Sequence, residues 1–254
     1  MLNMPKVIKD YQTYLKKHTN PKRAIKEKAY LYSDLKHYGV STGEKRKFKK
    51  KYDKQIKELP KKEALKWAKK LWGMPYFEER SFGLRILNLH KENLDLSDMP
   101  VIEKFMRESK GWAFLDSLII PLMHPLIKKD KKAYTYLKKW IKGDDFWIRR
   151  SALLAQLLFF REGKGGDKKL FFKFAVSQFD ESWIDKLYKD KLINKRAKFF
   201  IRKAIGWTLR EMSLNDPQTV YNFLRENKSE MSGLSFREGS RRLPVKLQEN
   251  LKAL

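Results

Sequence analysis

Three stretches combine aromatic, acidic and basic side chains at helical spacing. Trp112 and Asp116 stand four apart, so a helix places them on one face. The same segment carries Leu115, Leu118, Ile119, Leu122 and Met123. Aspartate is a poor helix former and costly to bury. In a first turn the helix dipole favours its charge, which is the purely structural role. The chemical role is a fixed carboxylate beside an aromatic wall in a basic cleft. The second stretch is Phe146-Trp147-Ile148-Arg149-Arg150-Ser151. Arg150 lies one turn after Trp147, where packing can aim its guanidinium at a phosphate or carboxylate. Arg149 and Arg150 sit near the positive end of a helix dipole, which is unfavourable unless an anion joins them; otherwise they are solvated. The third stretch runs from Phe199 to Glu211. Ile201, Ala204, Ile205, Thr208, Leu209 and Met212 make a core stripe at i, i+3, i+4, i+7. Trp207 falls outside the stripe, with Lys203 one turn before it and Arg210 about one turn after. That grouping suits a surface meeting a polyanion; its structural alternative is an indole packed on the next helix between two solvated cations.

Composition sets the partners. The 254 residues hold 58 Lys plus Arg against 30 Asp plus Glu, a formal net charge of +28. A folded domain this basic points first to nucleic acid and second to anionic membrane. The 42% hydrophobic and 13% aromatic content argues against disorder. There is no cysteine, which removes disulfides, thiolate catalysis and Cys-ligated metals, and fits a reducing cytoplasm. No window approaches the length of a membrane span, and the N-terminal stretch lacks a signal-peptide pattern. His18, His37, His90 and His124 show no ligand spacing, so no metal site is expected. Gly163-Lys164-Gly165-Gly166-Asp167 lacks the spacing and preceding strand of a phosphate-cradling loop and reads as a plain loop.

Apolar periodicity, prolines and capping residues predict helices at 3–18, 22–38, 44–57, 61–72, 76–91, 98–109, 112–128, 131–141, 145–161, 168–179, 197–213, 217–226 and 235–252, with a polar basic segment over 183–195. The helix at 44–57 carries the densest basic run, Lys45, Arg46, Lys47, Lys49, Lys50 and Lys51. Its central lysine, Lys47, is a candidate DNA contact, against the reading of an ordinary solvated face. No segment alternates as a strand does. Trp72, Trp112 and Trp147 recur at roughly forty residues, the period of HEAT-type helix pairs. The expectation is an all-α chain, one domain over 1–254: an α-solenoid of HEAT-like antiparallel pairs with a concave basic face.

The run Lys203-Ala204-Ile205-Gly206-Trp207, together with Leu209-Arg210-Glu211, resembles a signature of the AlkD-like DNA alkylation repair proteins. Trp112 with Asp116, and Trp147 with Arg150, resemble the family too, and the likeness covers nearly the whole chain. It implies a HEAT-like repeat DNA glycosylase that excises positively charged N3- and N7-alkylated purines from duplex DNA. It implies further that Trp112, Asp116 and Trp207 line the catalytic cleft, that Arg150 supports it, and that Tyr30 is an aromatic on the DNA-facing side. The expected enzyme is a monofunctional, cytoplasmic monomer without metal or cofactor. Two departures stand out. Ala113 occupies a position where the family often has a second tryptophan, and the stretch 163–198 is longer. The alternative needs only charge and scaffold: a non-catalytic HEAT-repeat protein that recognises DNA structure.

Overall fold

Asparagine, aspartate and proline set where many of the helices begin. Asn20 Oδ1 accepts the Arg23 amide at 2.9 Å and Pro21 opens the second helix. Asp145 Oδ1 accepts the Trp147 amide at 2.6 Å, and Asp167 Oδ1 the Leu170 amide at 2.9 Å. Each carboxylate or amide oxygen satisfies a first-turn N–H that has no partner inside the helix. The computed structural model describes residues 2–109 and 111–253, and among them there is no β-strand. An isolated bridge joins Lys36 to Tyr76. The chain divides into two compact units, residues 1–126 and 127–254.

The first unit contains α1 (Met4–Lys17), α2 (Pro21–Leu31), α3 (Thr42–Lys50), α4 (Asp53–Lys57), α5 (Lys61–Trp72), α6 (Phe77–Leu89), two short 3-10 turns, α7 (Met99–Glu108) and the start of α8 (Trp112–Lys129). α5 and α6, joined by residues 73–76, pack as a pair. A Cβ on Gly83 of α6 would lie 2.8 Å from the Ala68 carbonyl oxygen, so this contact requires glycine. Trp72 stacks on Phe105 at 4.4 Å, and Tyr11 meets Phe48 and Phe82 at 5.0 Å each. Glu78 is fully buried, and its carboxylate accepts the Tyr38 and Gly39 amides at 3.2 and 2.9 Å. That arrangement meets the requirement for hydrogen bonds on a buried charge.

The second unit contains α9 (Ala133–Trp140), α10 (Phe146–Leu154), α11 (Leu157–Glu162), α12 (Lys168–Val176), α13 (Ser182–Leu187), α14 (Lys191–Met212), α15 (Pro217–Glu226), α16 (Gly233–Ser240) and α17 (Val245–Lys252). It is organised around α14, which packs on α10, α11 and α16. The predicted stripe Ile201, Ala204, Ile205, Thr208, Leu209 and Met212 is buried throughout. Burying each of its larger aliphatic members contributes about 1.5–3 kcal/mol.

The all-α class is as expected, and several helix limits differ for identifiable reasons. α2 stops at Leu31 because Tyr32, with a left-handed φ of 52°, cannot continue it; the chain then bridges to 75–77 through Lys36 instead of continuing to 38. The 44–57 segment breaks at 51–52 into α3 and α4. The 145–161 segment breaks at 155–156, where Gln156 accepts the Asp167 amide at 2.6 Å. Pro244 opens α17 and separates it from α16, as a residue lacking an N–H does. The basic segment at 183–195 supplies α13 and the first turn of α14, capped by Asp190. The tryptophan recurrence does not mark one repeated position. Trp72 ends α5 and is buried, Trp112 begins α8 half-exposed, and Trp147 lies buried in the first turn of α10.

Candidate nucleic-acid interface

In the first unit, α8 opens with Trp112. Its indole meets the Tyr30 ring edge-on, with centroids 5.6 Å apart and planes at 87°. Tyr30 sits on α2 and is 69% exposed. An exposed tyrosine propped by a half-exposed tryptophan is a platform for stacking bases or sugars. Asp116 lies one turn further along α8 and is half-exposed. Lys47 is exposed on α3, so the structure leaves it available to a phosphate. Lys45 and Lys49 from the same run are buried. The sequence offered one signal of this: they flank Phe48, which faces the core.

Glu27, His37 and Glu78 bring ligand-type atoms within 4.8 Å of one another, although the spacing of the histidines had suggested no metal site. Lys45 Nζ lies 3.4 Å from Glu27 Oε1, and both Glu78 oxygens hold backbone amides. Lys45 thus serves one Glu27 oxygen and loop amides serve both Glu78 oxygens, while the other Glu27 oxygen faces His37 Nδ1 at 3.7 Å.

In the second unit, Trp207 lies off the buried stripe and is half-buried. Its Nε1–H donates to Glu211 Oε1 at 3.1 Å. Arg161 Nε donates to the other oxygen at 2.8 Å, and Arg242 stands 3.7 Å away. Lys203 Nζ donates to Glu238 of α16 at 2.8 Å, and Arg210 donates to the second Glu238 oxygen. These two cations were candidates for meeting an external polyanion; each has an internal carboxylate partner. Arg150 is neither solvated nor exposed: at 4% exposure its Nη1 donates to the Phe200 carbonyl at 2.7 Å and its guanidinium lies over the Phe200 ring. It ties α10 to α14, the helix that carries Trp207. Arg149 stacks 3.6 Å from the Trp183 ring centre and donates to the Gly143 carbonyl at 2.7 Å.

The ion pairs around Glu211 have a pH consequence. Burial pushes its carboxyl upward, but Arg161, Trp207 and Arg242 outweigh burial and hold it below the usual carboxylate range. A depressed carboxylate contributes stability above its unfolded pKa and loses it as pH falls through the folded value. Replacing Arg161 by Met is expected to move the midpoint of acid unfolding to higher pH. An unchanged midpoint in a circular-dichroism titration would show that the pair contributes nothing.

Residues 11–243 match the model of the DNA alkylation repair enzyme family. The chain belongs to that family. Family membership spans α1 to α16 and includes all three chemically promising stretches. It makes DNA repair the role of the chain and DNA its substrate. The fold is similar to that of a solved structure described as "Predicted DNA alkylation repair enzyme from Enterococcus faecalis", with a TM-score of 0.74 and 21% identity over 90% of this chain and 98% of that one. At that identity the likeness concerns the fold. No curated protein matches in sequence. Among the described residues no helix is long and apolar enough to cross a membrane.

Proposed function

We propose that this family member is a monofunctional DNA glycosylase that hydrolyses the N-glycosidic bond of N3- and N7-alkylated purines in duplex DNA. One observation carries the reading: Asp116 stands one turn beyond an exposed Tyr30–Trp112 platform, in a DNA repair protein of net charge +28.

A purine alkylated on a ring nitrogen is already a cation. When its bond to C1′ breaks, the base leaves neutral and positive charge passes to the deoxyribose. No general acid is required, unlike ordinary glycoside hydrolysis with its pair of carboxyls. Asp116 stabilises the developing charge and holds the water that adds to C1′; the proton of that water passes to the carboxylate and then to solvent. The face of Trp112 attracts the cationic nucleotide by about 0.5–2 kcal/mol. The charge on the substrate makes metal or cofactor assistance unnecessary. Trp207 is proposed as a second aromatic contact with the DNA, tested separately by its alanine variant. Tyr30, Lys47 and Arg149 are proposed as DNA contacts. Arg150, Lys203 and Arg210 support binding by holding α14 through the bonds described above. A surface platform of this kind allows excision without turning the base into a deep pocket. The protein is proposed to act as a cytoplasmic monomer.

Binding should weaken steeply with salt, with log K falling by about 0.9 per phosphate neutralised for each unit of log salt. A flat salt response in fluorescence anisotropy would contradict any DNA-binding reading. Steep salt dependence without base release above spontaneous depurination would leave the non-catalytic binder.

A further inference from the structure

The first unit contains an open cleft of about 530 Å³ walled by α2, α3, α6 and α8. Its lining includes four cations, Lys45, Arg46, Lys49 and Arg85, and one acid, Glu27. Two of the cations have carboxylate partners. Lys45 lies 3.4 Å from Glu27, and Arg85 makes a two-pronged contact with Asp53, its Nε to Oδ1 at 2.7 Å. Lys49 is different. It is 5% exposed, and its ammonium donates to the neutral Ser81 hydroxyl at 2.7 Å. Among the described residues no carboxylate pairs with it. The Tyr11 and Phe82 rings lie at 5.6 and 5.7 Å from Nζ.

An ammonium carries three donors, and a buried charge is costly unless it is paired. Burial, then Lys45 and Arg85, make Lys49 release its proton more readily than an ordinary lysine; Glu78 and Asp53 act in the opposite direction and do not compensate. The cleft is an open hollow whose cations outnumber its acids, with the buried Lys49 ammonium and the Ser81 hydroxyl at its wall. An anion placed there would gain charge-assisted hydrogen bonds and relieve repulsion among the lysines.

We propose that this cleft is a phosphate-binding site, formed by Lys49 and Ser81 with Lys45 and Arg46, that takes a phosphate group of a nucleic-acid strand. The inference rests on the DNA reading above and gives it a specific contact. Ser117 of α8 lines the cleft one residue after Asp116. A bound phosphate would thus fix the strand beside the turn that carries the proposed catalytic acid. Two sources share this chemistry: an internal phosphodiester and a terminal phosphomonoester.

The test uses the full chain and calorimetry at moderate salt, with inorganic phosphate and with short single strands bearing either a 5′-phosphate or a 5′-hydroxyl. Lys49→Met keeps the length and apolar stem of the side chain, and Ser81→Ala removes only a hydroxyl. Each is expected to weaken phosphate and strand binding by about tenfold or more, as loss of a charge-assisted bond does, while Lys57→Met, an exposed lysine on α4, leaves binding unchanged. Equal loss for both strands identifies the phosphodiester; loss confined to the 5′-phosphorylated strand identifies the terminal group. Undetectable phosphate and strand binding by the wild type would overturn the proposal. So would wild-type affinity in both Lys49→Met and Ser81→Ala. Asp116→Asn is expected to retain phosphate binding, so failure of the glycosylase reading and failure of this site are distinguishable.

Discussion

Asp116→Asn slows release of 7-methylguanine from duplex DNA by roughly 10²–10³-fold, the loss seen when one preorganised charge-stabilising group is removed from an active site. Asparagine keeps the size and shape of the side chain and removes its charge. The transition state loses the stabilisation of positive charge on the sugar, whereas the ground-state complex is held mainly by phosphate contacts. The single-turnover rate is therefore expected to fall by that factor while duplex affinity stays nearly unchanged. Rate and affinity falling together would make Asp116 a binding residue. Full activity in the variant would remove it from the chemistry.

Gly206→Val destabilises the second unit by about 1–3 kcal/mol, through overpacking where no space exists. A Cβ at Gly206 would lie 2.5 Å from the Glu238 Cβ and 2.9 Å from the Ser235 carbonyl oxygen. α14 and α16 must separate to admit it, and separation also pulls Glu238 from Lys203 and Arg210. In a chain of this size the melting temperature falls by roughly 3–10 °C. Gly43→Ala is the contrast. A Cβ at Gly43 meets nothing closer than the Ser41 hydroxyl at 3.9 Å, so helix propensity makes that change neutral or favourable. Equal melting temperatures for Gly206→Val and the wild type would mean that the α14–α16 contact is looser than described.

Local rules made much of this legible from sequence. The stripe from Ile201 to Met212 is visible because a helix repeats every 3.6 residues, and the position of Trp207 off that stripe follows from the same geometry. Asp145, Asp167 and Pro217 announce their helix starts through capping and ring chemistry. What the sequence concealed depends on residues distant in the chain. Nothing near Lys203 or Arg210 indicates that Glu238, on another helix, binds both. Nothing near Lys49 shows that Ser81, thirty-two residues away on α6, holds it. Arg150 looked like a cation for an external anion, yet it binds the Phe200 carbonyl fifty residues later. Gly206 belongs to the recognisable family run, and its reason for being glycine is the backbone of α16, which lies beyond that run.

The most direct measurement is base release by the wild-type protein from duplex oligonucleotides carrying N7-methylguanine or N3-methyladenine, set against the spontaneous loss of base in the same buffer. Release well above that background is expected, leaving an abasic site and an uncut strand. Release equal to the background, from a protein that still binds the duplex, would contradict the glycosylase reading.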